Sequence, residues 1–307
     1  MALVTMKEIL DDSRKRGYGV GAFNINNLEF LKAIVEAAEE EKSPVIVAVS
    51  EGAMNYAGIE YLAELVKVAA GKVSIPLALH VDHGKHWEVI VSAIRHGFTS
   101  VMIDASDKSF EENVEITSKV VDLAHAVGVT VEAEIGRLRG VEDIVNVSER
   151  EAVLTDPREA KEFVELTGVD ALAVAVGTSH GAYKFKGEPK LDIQRIRKIR
   201  ELVQIPLVLH GASGVIPEIV ELAERYGAKL KGARGVPDDQ IKEAIKAGIA
   251  KINIDTDLRL SFLAGVREYL HENPDIFDPR KYLGEGMKFV KETVRMKMRL
   301  FGSSGKA

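Results

Sequence analysis

The sequence contains no cysteine, a single tryptophan and few other aromatic residues. Without cysteine, disulfides, thiolate nucleophiles and cysteine-ligated structural zinc are all excluded, so any metal ion must be held by histidine and carboxylate side chains. No apolar run approaches the roughly 20 residues that a membrane-spanning helix requires. The amino terminus also lacks the pattern of a secretory signal peptide. We therefore expect a cytoplasmic protein without a membrane partner.

Charge of either sign is not concentrated. The 41 basic and 47 acidic residues leave a formal net charge of -6, and the basic residues form no stripe. This pattern argues against nucleic acid as a partner. With 46% hydrophobic residues the 307-residue chain can bury a large core, and single α/β barrels routinely exceed 200 residues. We expect one domain over residues 1–307, with a surface insertion at 227–236 and a C-terminal helical extension at 271–307.

Short apolar runs alternate with amphipathic stretches along the whole chain. The apolar runs are residues 19–23, 45–49, 77–81, 100–103, 130–133, 171–175, 207–209 and 251–254. The amphipathic stretches are residues 28–41, 61–70, 88–96, 111–127, 157–167, 193–203, 217–226 and 258–270. Eight strand-helix units with right-handed crossovers predict an α/β fold, the (β/α)8 TIM barrel with extra C-terminal helices. Outside this repeat we expect a loop at 136–153, a mobile surface loop at 227–236, a helix at 285–300 and a frayed end at 302–307.

Histidines follow three of the predicted strands. Residues 77–84 read LALHVDHG, 171–181 read ALAVAVGTSHG, and 207–214 read LVLHGASG. His83, His180 and His210 then lie at the carboxyl ends of strands, where α/β barrels build their active sites. A single such histidine is more often a hydrogen-bonding residue, but three beside Asp82 favour a metal site with an open position, as in catalytic zinc. His80 is expected to support this site from a second layer.

Two carboxylates share one face of the fifth predicted strand. Glu132 and Glu134 are two residues apart, so both point to the same side of the sheet. Burying them requires a cation or an arginine such as Arg137. They form either a structural ion-pair network or part of a metal site. The second interpretation is favoured because Asp104 ends the adjacent strand.

Glycine-rich and polar turns follow the seventh and eighth strands. Residues 211–214 read GASG and residues 253–256 read NIDT, at positions where barrels frequently bind phosphate through backbone N–H groups. The local alternative is a simple turn, with Asp255 or Thr256 capping the last barrel helix. If Asp255 faces a phosphate pocket, we expect a monovalent cation, Na⁺ or K⁺, beside it.

Several blocks in order along nearly the whole chain resemble the metal-dependent class II fructose-1,6-bisphosphate aldolases, in the subgroup that also contains the tagatose-bisphosphate aldolases. The blocks are 18–24, 50–53, 80–84, 98–104, 132–136, 177–181, 210–213 and 253–257. Lys85, His86 and Asp107 depart from the family pattern.

The resemblance assigns a role to each candidate residue. It implies a catalytic zinc at His83, His180 and His210, a second metal position at Asp104 and Glu134, Asp82 as proton donor and acceptor for the aldehyde oxygen, and Glu142 as a mobile base. It implies a dihydroxyacetone-phosphate pocket at Asn24, Gly181, Gly211, Ala212, Ser213, Asn253, Ile254, Asp255 and Thr256. Ser50 and Arg280 match contacts to the aldehyde half, with Arg280 reaching a neighbouring subunit of a homodimer or homotetramer.

The implied reaction is the reversible cleavage of fructose 1,6-bisphosphate to two triose phosphates in glycolysis or gluconeogenesis, and tagatose 1,6-bisphosphate remains an alternative substrate. A Schiff-base aldolase would need a lysine at the carboxyl end of a strand, whereas Lys251 is expected at the start of strand 8. A non-catalytic sugar-phosphate-binding barrel would have no need of the histidines and Asp82.

Overall fold

The computed structural model describes residues 3–136, 139–142, 145–147, 153–180, 190–230 and 232–307, with the backbone alone for 139–142, 145–147 and 180. The strands are β1 (Val20–Asn24), β2 (Val45–Ser50), β3 (Leu77–Gly84), β4 (Ser100–Ile103), β5 (Thr130–Ile135), β6 (Arg139–Glu142), β7 (Val145–Val147), β8 (Ala171–Val174), β9 (Ser179–His180), β10 (Leu207–Leu209) and β11 (Ile249–Ile254). The helices are α1 (Met6–Arg16), α2 (Leu28–Glu41), α3 (Glu51–Ala57), α4 (Ile59–Ala70), α5 (Trp87–Arg95), α6 (Phe110–His125), α7 (Pro157–Thr167), α8 (Ile193–Leu202), α9 (Pro217–Arg225), α10 (Asp238–Ala247), α11 (Thr256–Glu272) and α12 (Pro279–Phe301).

Eight of these strands close into a parallel barrel in the order β1-β11-β10-β8-β5-β4-β3-β2. Every residue of β2, β3 and β5 is buried, as expected for parallel strands that are covered on both faces. The register pairs Ser50 with Asp82, so polar residues that end neighbouring strands lie at one end of the barrel. The (β/α)8 prediction is confirmed, and each predicted apolar run is a barrel strand.

The barrel helices begin and end where their local signals predict. At the start of α6, Ser109 and Glu112 form a capping box. In α7, Asp156 caps the first turn, Pro157 follows, and Gly168 ends the helix in the left-handed conformation. These residues satisfy backbone groups that a helix end leaves unpaired. The apolar sides of the helices pack on the outer face of the barrel in one continuous core.

Helix α1 closes the amino-terminal end of the barrel, and the strand and helix pattern did not predict it. Its Met6, Ile9 and Leu10 pack on small inward-facing residues such as Ala22 and Ala78. A capping box formed by Thr5 and Glu8 was the available sequence signal. Helices α3 and α10 also lie outside the predicted repeat. With this end sealed, the opposite end is the accessible one.

Two expectations about the irregular segments are wrong. The predicted loop at 136–153 contains the antiparallel pair β6 and β7, and β9 joins it to form a small three-stranded sheet. The terminus at 302–307 is not frayed, because Gly305 N donates to Glu41 O at 2.8 Å and Ala307 N to Lys42 O at 2.9 Å. In the insertion at 227–236, Val236 N donates to Ser213 O at 3.1 Å, so its end is packed on the loop after β10.

The C-terminal helix is present but begins at Pro279 rather than at residue 285. It is attached to α2 through Glu41, the last residue of that helix, whose side chain is 9% exposed. Glu41 accepts hydrogen bonds from Arg299 at 2.6 Å, Arg295 at 3.0 Å and Ser304 at 2.9 Å. The hydrogen bond from Arg299, aided by those from Arg295 and Ser304, lowers the pKa of Glu41 from 4.5 to about 2. Within the described residues, no helix is long and apolar enough to cross a membrane.

Replacing Glu41 with glutamine tests this attachment. At pH 7 we expect the free energy of unfolding to fall by about 1.5–3 kcal/mol, the range of hydrogen bonds to a charged group. Because the folded-state pKa is depressed, the contribution of Glu41 is complete above about pH 4.5 and is lost as the pH falls towards 2. The difference between Glu41→Gln and the parent protein should therefore shrink over that range. Urea denaturation at several pH values measures it.

The matched control is Glu64→Gln, which removes an exposed pair with Lys67 and should change stability by no more than about 0.5 kcal/mol. An undiminished deficit of Glu41→Gln near pH 2 would show that packing, and not charge, holds the helix.

Candidate active site

Polar side chains from most of the barrel strands converge at the carboxyl-terminal end. Those that are buried there are Asn24, Ser50, Asp82, His83, Asp104, Glu132, Glu134, His210, Asn253 and Asp255. Ala212, Ser213 and Thr256 lie beside them and are also buried, as is Ile254 at the end of β11. The structure thus brings together the described polar residues that follow the predicted strands in the sequence.

His83 is turned towards the barrel axis by an unusual backbone. Its φ of 51° lies in the left-handed region, which non-glycine residues seldom adopt. The pairing of β3 with β4 shifts register between Val81 and Gly84. Beyond the shift, Asp104 N donates a hydrogen bond to Gly84 O at 2.8 Å. The result is a distance of 2.8 Å between His83 Nε2 and His210 Nδ1.

Each of the two imidazole rings is oriented by a carboxylate that contacts the nitrogen facing away from the other ring. His83 Nδ1 lies 3.1 Å from Asp104 Oδ2, and His210 Nε2 lies 2.9 Å from Glu132 Oε1. A carboxylate can only accept in such a contact, so these nitrogens carry the N–H groups. His83 Nε2 and His210 Nδ1 are left facing the same point, which is the second-layer support that metal-binding histidines commonly have.

Lys251 provides the positive charge that the pair of glutamates requires. Its Nζ lies 2.7 Å from Glu132 Oε2 and 3.2 Å from His80 Nε2, with all three side chains fully buried. Burial, followed by the charge of Lys251, lowers the pKa of His80 well below 6.5. The neutral His80 ring contacts Ser100 Oγ at 2.8 Å. His80 thus lies one layer below the His83 and His210 pair.

This network corrects one expectation. Strand β11 begins at Ile249, so Lys251 lies inside the barrel and not at its amino-terminal end. Arg137, suggested as the partner of the glutamates, lies outside the described residues. The signal for Lys251 was its position within an otherwise apolar strand, which predicts a buried lysine that needs a buried acid.

The electrostatics of the cluster favour a cation. Burial, together with the charge of Asp104, raises the pKa of Glu134 to about 8. Burial opposes a charge on His83, yet the hydrogen bond to Asp104 and the charge of Asp82 raise its pKa to about 10. Burial favours the neutral form of Asp104, but the hydrogen bond and charge of His83 and the charge of Lys85 together keep its pKa well below its usual value.

A metal ion fits this set of donors. Two groups have ligand atoms within 4.8 Å of one another: Asp82, His83 and His210, and His83, Asp104 and Glu134. Glu134 Oε2 is buried and has no hydrogen-bond partner among the described residues; its contact is with His210 Nδ1, at 3.4 Å. Imidazole nitrogens and carboxylate oxygens are ligands that suit zinc.

Asp82 is held beside the histidines by two amides. Asn24 Nδ2 donates to Asp82 Oδ2 at 2.7 Å, and Asn253 Nδ2 donates to Asp82 Oδ1 at 2.9 Å. These amides come from β1 and β11, on either side of the barrel seam. They orient the carboxylate without neutralising it, so Asp82 can take and return a proton. Ser50, its neighbour in register, caps α3 by accepting from Ala53 N at 3.2 Å.

The loop after β10 has a backbone shaped by close contacts. A Cβ on Gly211 would lie 2.6 Å from Ser179 O, so only glycine fits. Val215 has a φ of 50°, which is unusual for a β-branched residue. Asp257 supports this conformation by accepting from Gly214 N at 2.8 Å and from Val215 N at 2.6 Å.

The sequence reasoning missed Asp257 and its partner Lys297, whose Nζ lies 3.0 Å from Asp257 Oδ2. Both side chains are buried. Asp255 occupies the N-cap position of α11 but makes no capping hydrogen bond with its side chain. It pairs instead with Arg259 at 2.8 Å, so the local alternative in which the Asp255 side chain caps the helix is wrong.

Four candidate residues are not part of this described cluster. His180 ends β9 and Glu142 ends β6, and the two strands pair in parallel through Gly140 and His180; both side chains, and all of Gly181, lie outside the described residues. Arg280 begins α12 with its side chain 88% exposed and paired with Asp278 at 2.8 Å. The other four histidines, His86, His96, His125 and His271, are in helical or loop segments away from the histidine pair.

Comparison with known proteins agrees with this geometry. Residues 4–306 match the family model described as fructose-bisphosphate aldolase class-II. The chain belongs to the class II fructose-bisphosphate aldolase family. It is 57% identical to the fructose-bisphosphate aldolase of Thermus caldophilus, over 99% of this chain and 100% of that protein. Identity to the enzyme of Helicobacter pylori strain J99 is 50%, over 99% of each chain.

Solved structures give the same result. The chain aligns with the crystal structure of the YdjI aldolase from Escherichia coli K12 with a TM-score of 0.82 and 37% identity, over 99% of each chain. It aligns with the structure of a putative fructose-1,6-biphosphate aldolase from Coccidioides immitis with a TM-score of 0.81 and 30% identity, over 98% of this chain and 97% of that chain. The resemblance inferred from the sequence blocks is therefore confirmed at the level of the family.

Substitution of Lys251 tests whether the buried ion pair supports this class II site. Lys251→Met should destabilise the metal-free protein by about 3–5 kcal/mol, because Glu132 is left as an uncompensated buried charge. The double variant Lys251→Met with Glu132→Gln should recover much of that loss. Urea denaturation measures both variants. Lys246→Met, which removes an exposed pair with Glu243, is the control, and equal stabilities of Lys251→Met and the parent would refute the role of the pair.

Proposed function

We propose that this protein is a zinc-dependent aldolase that reversibly cleaves D-fructose 1,6-bisphosphate into dihydroxyacetone phosphate and glyceraldehyde 3-phosphate. The observation that carries the proposal is the buried pair His83 and His210, whose nitrogens lie 2.8 Å apart, with Asp82 beside them. Family membership supports it, since the relatives from Thermus caldophilus and Helicobacter pylori are named fructose-bisphosphate aldolases. The reaction places the enzyme in glycolysis or gluconeogenesis.

In this proposal His83, His180 and His210 hold the catalytic zinc, and the carboxylates of Asp104 and Glu134 offer a second position for a positive charge, either a metal ion or a basic side chain. A bound zinc ion supplies Lewis-acid polarisation of the substrate carbonyl. The protein contributes the orientation of the ligands, through Asp104 and Glu132, and a buried setting in which electrostatic interactions are stronger than in water.

Asp82 moves the proton of the C4 hydroxyl. In cleavage its carboxylate accepts this proton, and in condensation it returns the proton to the aldehyde oxygen. The amides of Asn24 and Asn253 keep the carboxylate in one orientation throughout. Glu142, on the segment after β5, is the proposed base for the carbon-bound proton of the triose.

The substrate phosphates are assigned to the two ends of the site. The backbone N–H groups of Gly211, Ala212 and Ser213, with Gly181 and residues 253–256, form the proposed pocket for the triose phosphate. Asp257 fixes the conformation of this loop by accepting hydrogen bonds from Gly214 N and Val215 N. A monovalent cation beside Asp255 remains part of the proposal, and Arg259 already supplies one positive partner there. Ser50 and Arg280 are assigned to the aldehyde half.

Two other functions fit the geometry of the site less well. Lys251 is the lysine inside the barrel, but it is fully buried against Glu132, which does not suit Schiff-base formation with a substrate at the open end. A sugar-phosphate-binding protein without activity would not need the histidine pair or the oriented Asp82. Tagatose 1,6-bisphosphate differs from the fructose substrate only in the configuration at C4 and stays as the second candidate substrate.

The deciding experiment is an assay of purified protein with both ketose bisphosphates before and after chelation. Chelation should abolish cleavage, Zn²⁺ or Co²⁺ should restore it, and borohydride with substrate should leave the activity unchanged. In the same assay, Asp82→Ala should retain bound metal and lose about 10²- to 10⁴-fold in turnover, whereas His210→Ala should lose tight metal binding.

His125→Ala is the matched control, because His125 lies at the end of α6 and pairs with Asp170. It should keep both metal and activity. Full turnover by the metal-free protein, or turnover of metal-loaded Asp82→Ala at the parent rate, would contradict the mechanism.

Arg280 is proposed to bind the distal phosphate of a substrate molecule that occupies the active site of a neighbouring subunit. The oligomer would be a homodimer or a homotetramer. Its guanidinium is suited to bidentate phosphate contact, and it projects from the surface close to Phe277, which is 91% exposed. An exposed phenylalanine beside an exposed arginine is typical of a protein interface. Each active site would then be complete only in the oligomer.

Arg280→Ala should raise the KM for the bisphosphate about 10- to 100-fold, because a charge-assisted hydrogen bond to the distal phosphate is lost. Exchange of hydrogen between dihydroxyacetone phosphate and water should change little, because that half-reaction uses only the proximal phosphate pocket. Arg197→Ala, on the exposed side of α8, is the control. Mixing inactive Asp82→Ala with Arg280→Ala under subunit exchange should recover activity at low substrate, and proven hybrids without recovery would place Arg280 outside the neighbouring site.

A further inference from the structure

Lys85 reaches into the second carboxylate cluster from the end of β3. Its Nζ lies 3.4 Å from Asp104 Oδ2, and its side chain is only 24% exposed. The same Asp104 oxygen contacts His83 Nδ1 at 3.1 Å. His83, Asp104 and Glu134 are one of the groups whose geometry can hold a metal ion. A lysine side chain therefore lies at the edge of a candidate cation site.

The backbone on both sides fixes the position from which Lys85 extends. Glu51 Oε1 accepts from Lys85 N at 2.6 Å and from His86 N at 3.1 Å. Gly84 is packed so closely that a Cβ there would lie 2.7 Å from Met102 O. Since Asp104 N also donates to Gly84 O at 2.8 Å, the ends of β3 and β4 are held side by side. Lys85 is therefore built next to Asp104.

The charges of the described side chains show what this lysine does. Four buried carboxylates surround the histidine pair: Asp82, Asp104, Glu132 and Glu134. Lys251 is paired with Glu132 and Lys85 with Asp104. The two lysines each lie against one carboxylate, whereas the carboxylates of Asp82 and Glu134 face the histidine pair. Without Lys85 the buried Asp104 would lose a cationic partner, and burying a charge with less compensation is costly.

We propose that Lys85 supplies, at the Asp104 and Glu134 carboxylates, the positive charge that a second divalent ion would otherwise provide. The protein then binds one divalent ion per chain, at the His83 and His210 pair. This inference rests on the proposed metal site, and it makes Lys85 a residue that sets the number of ions and not a catalytic residue. The charge of a covalently attached side chain cannot dissociate, so Asp104 keeps this cationic partner when free metal is scarce.

The test is the metal stoichiometry of the purified, chelator-stripped and zinc-reconstituted protein, measured by mass spectrometry of the metal and by Co²⁺ absorption titration. The parent should retain one ion per chain after dialysis, and Lys85→Met should retain two. Lys85→Arg, which keeps the charge, should retain one. Combining Lys85→Met with Glu134→Gln should return the count to one, because the second ion loses a ligand.

Lys108→Met is the matched control, since Lys108 is 48% exposed and pairs with Asp107 outside the cluster; it should retain one ion. A parent that holds two ions, or Lys85→Met that holds one, overturns the role of Lys85 and leaves the metal-dependent reaction intact. A parent that holds none overturns the metal site itself. The parent count tests the inference even if Lys85→Met does not fold.

Thermal unfolding of the chelated proteins gives a second readout. Lys85→Met should melt at a lower temperature than the parent when metal-free, because the buried Asp104 then loses the ion pair with Lys85. Added Zn²⁺ should raise its melting temperature more than that of Lys85→Arg. Equal responses of the two variants to zinc would contradict the proposal.

Discussion

The fully buried ion pair between Lys251 and Glu132 is the contact on which the rest of the site depends. Glu132 lies in a closed barrel, where an unpaired carboxylate would be very costly, and Lys251 Nζ lies 2.7 Å from it. The other oxygen of Glu132 then fixes His210, and the lysine also contacts His80. A charge that is expensive to bury thereby orients the imidazole of His210, whose Nδ1 faces His83.

Strain and support are combined at the open end of the barrel. His83 and Val215 both have left-handed backbone conformations that cost free energy. Each is over-determined by its surroundings, His83 by the register shift and Asp104, and Val215 by the two hydrogen bonds to Asp257. The strained residues lie in the two segments assigned to metal and phosphate, His83 near the end of β3 and Val215 in the loop after β10. At the opposite end of the barrel, Lys42 has a similar conformation with a φ of 50°, as the residue that ends α2.

Most of the fold was predictable, because parallel strands buried on both faces read as continuous apolar runs and helices show a 3.6-residue period. The polar residues after those strands identified His83, His210, Asp82 and Asp104 for the same reason. The failures have local causes. Helix α1 is mostly polar and gains its stability by packing on the barrel end. The last residues are ordered through hydrogen bonds to the end of α2 and to Arg16 of α1.

The sequence by itself determined the barrel and the end at which the chemistry lies, since both follow from periodicity and from the residue after each strand. It did not determine which charges meet. Lys251 and Glu132 are 119 residues apart in the chain, and Asp82 is 171 residues from Asn253. Only closure of the barrel decides such pairs, because β11 must return beside β1 before its side chains can reach across the interior.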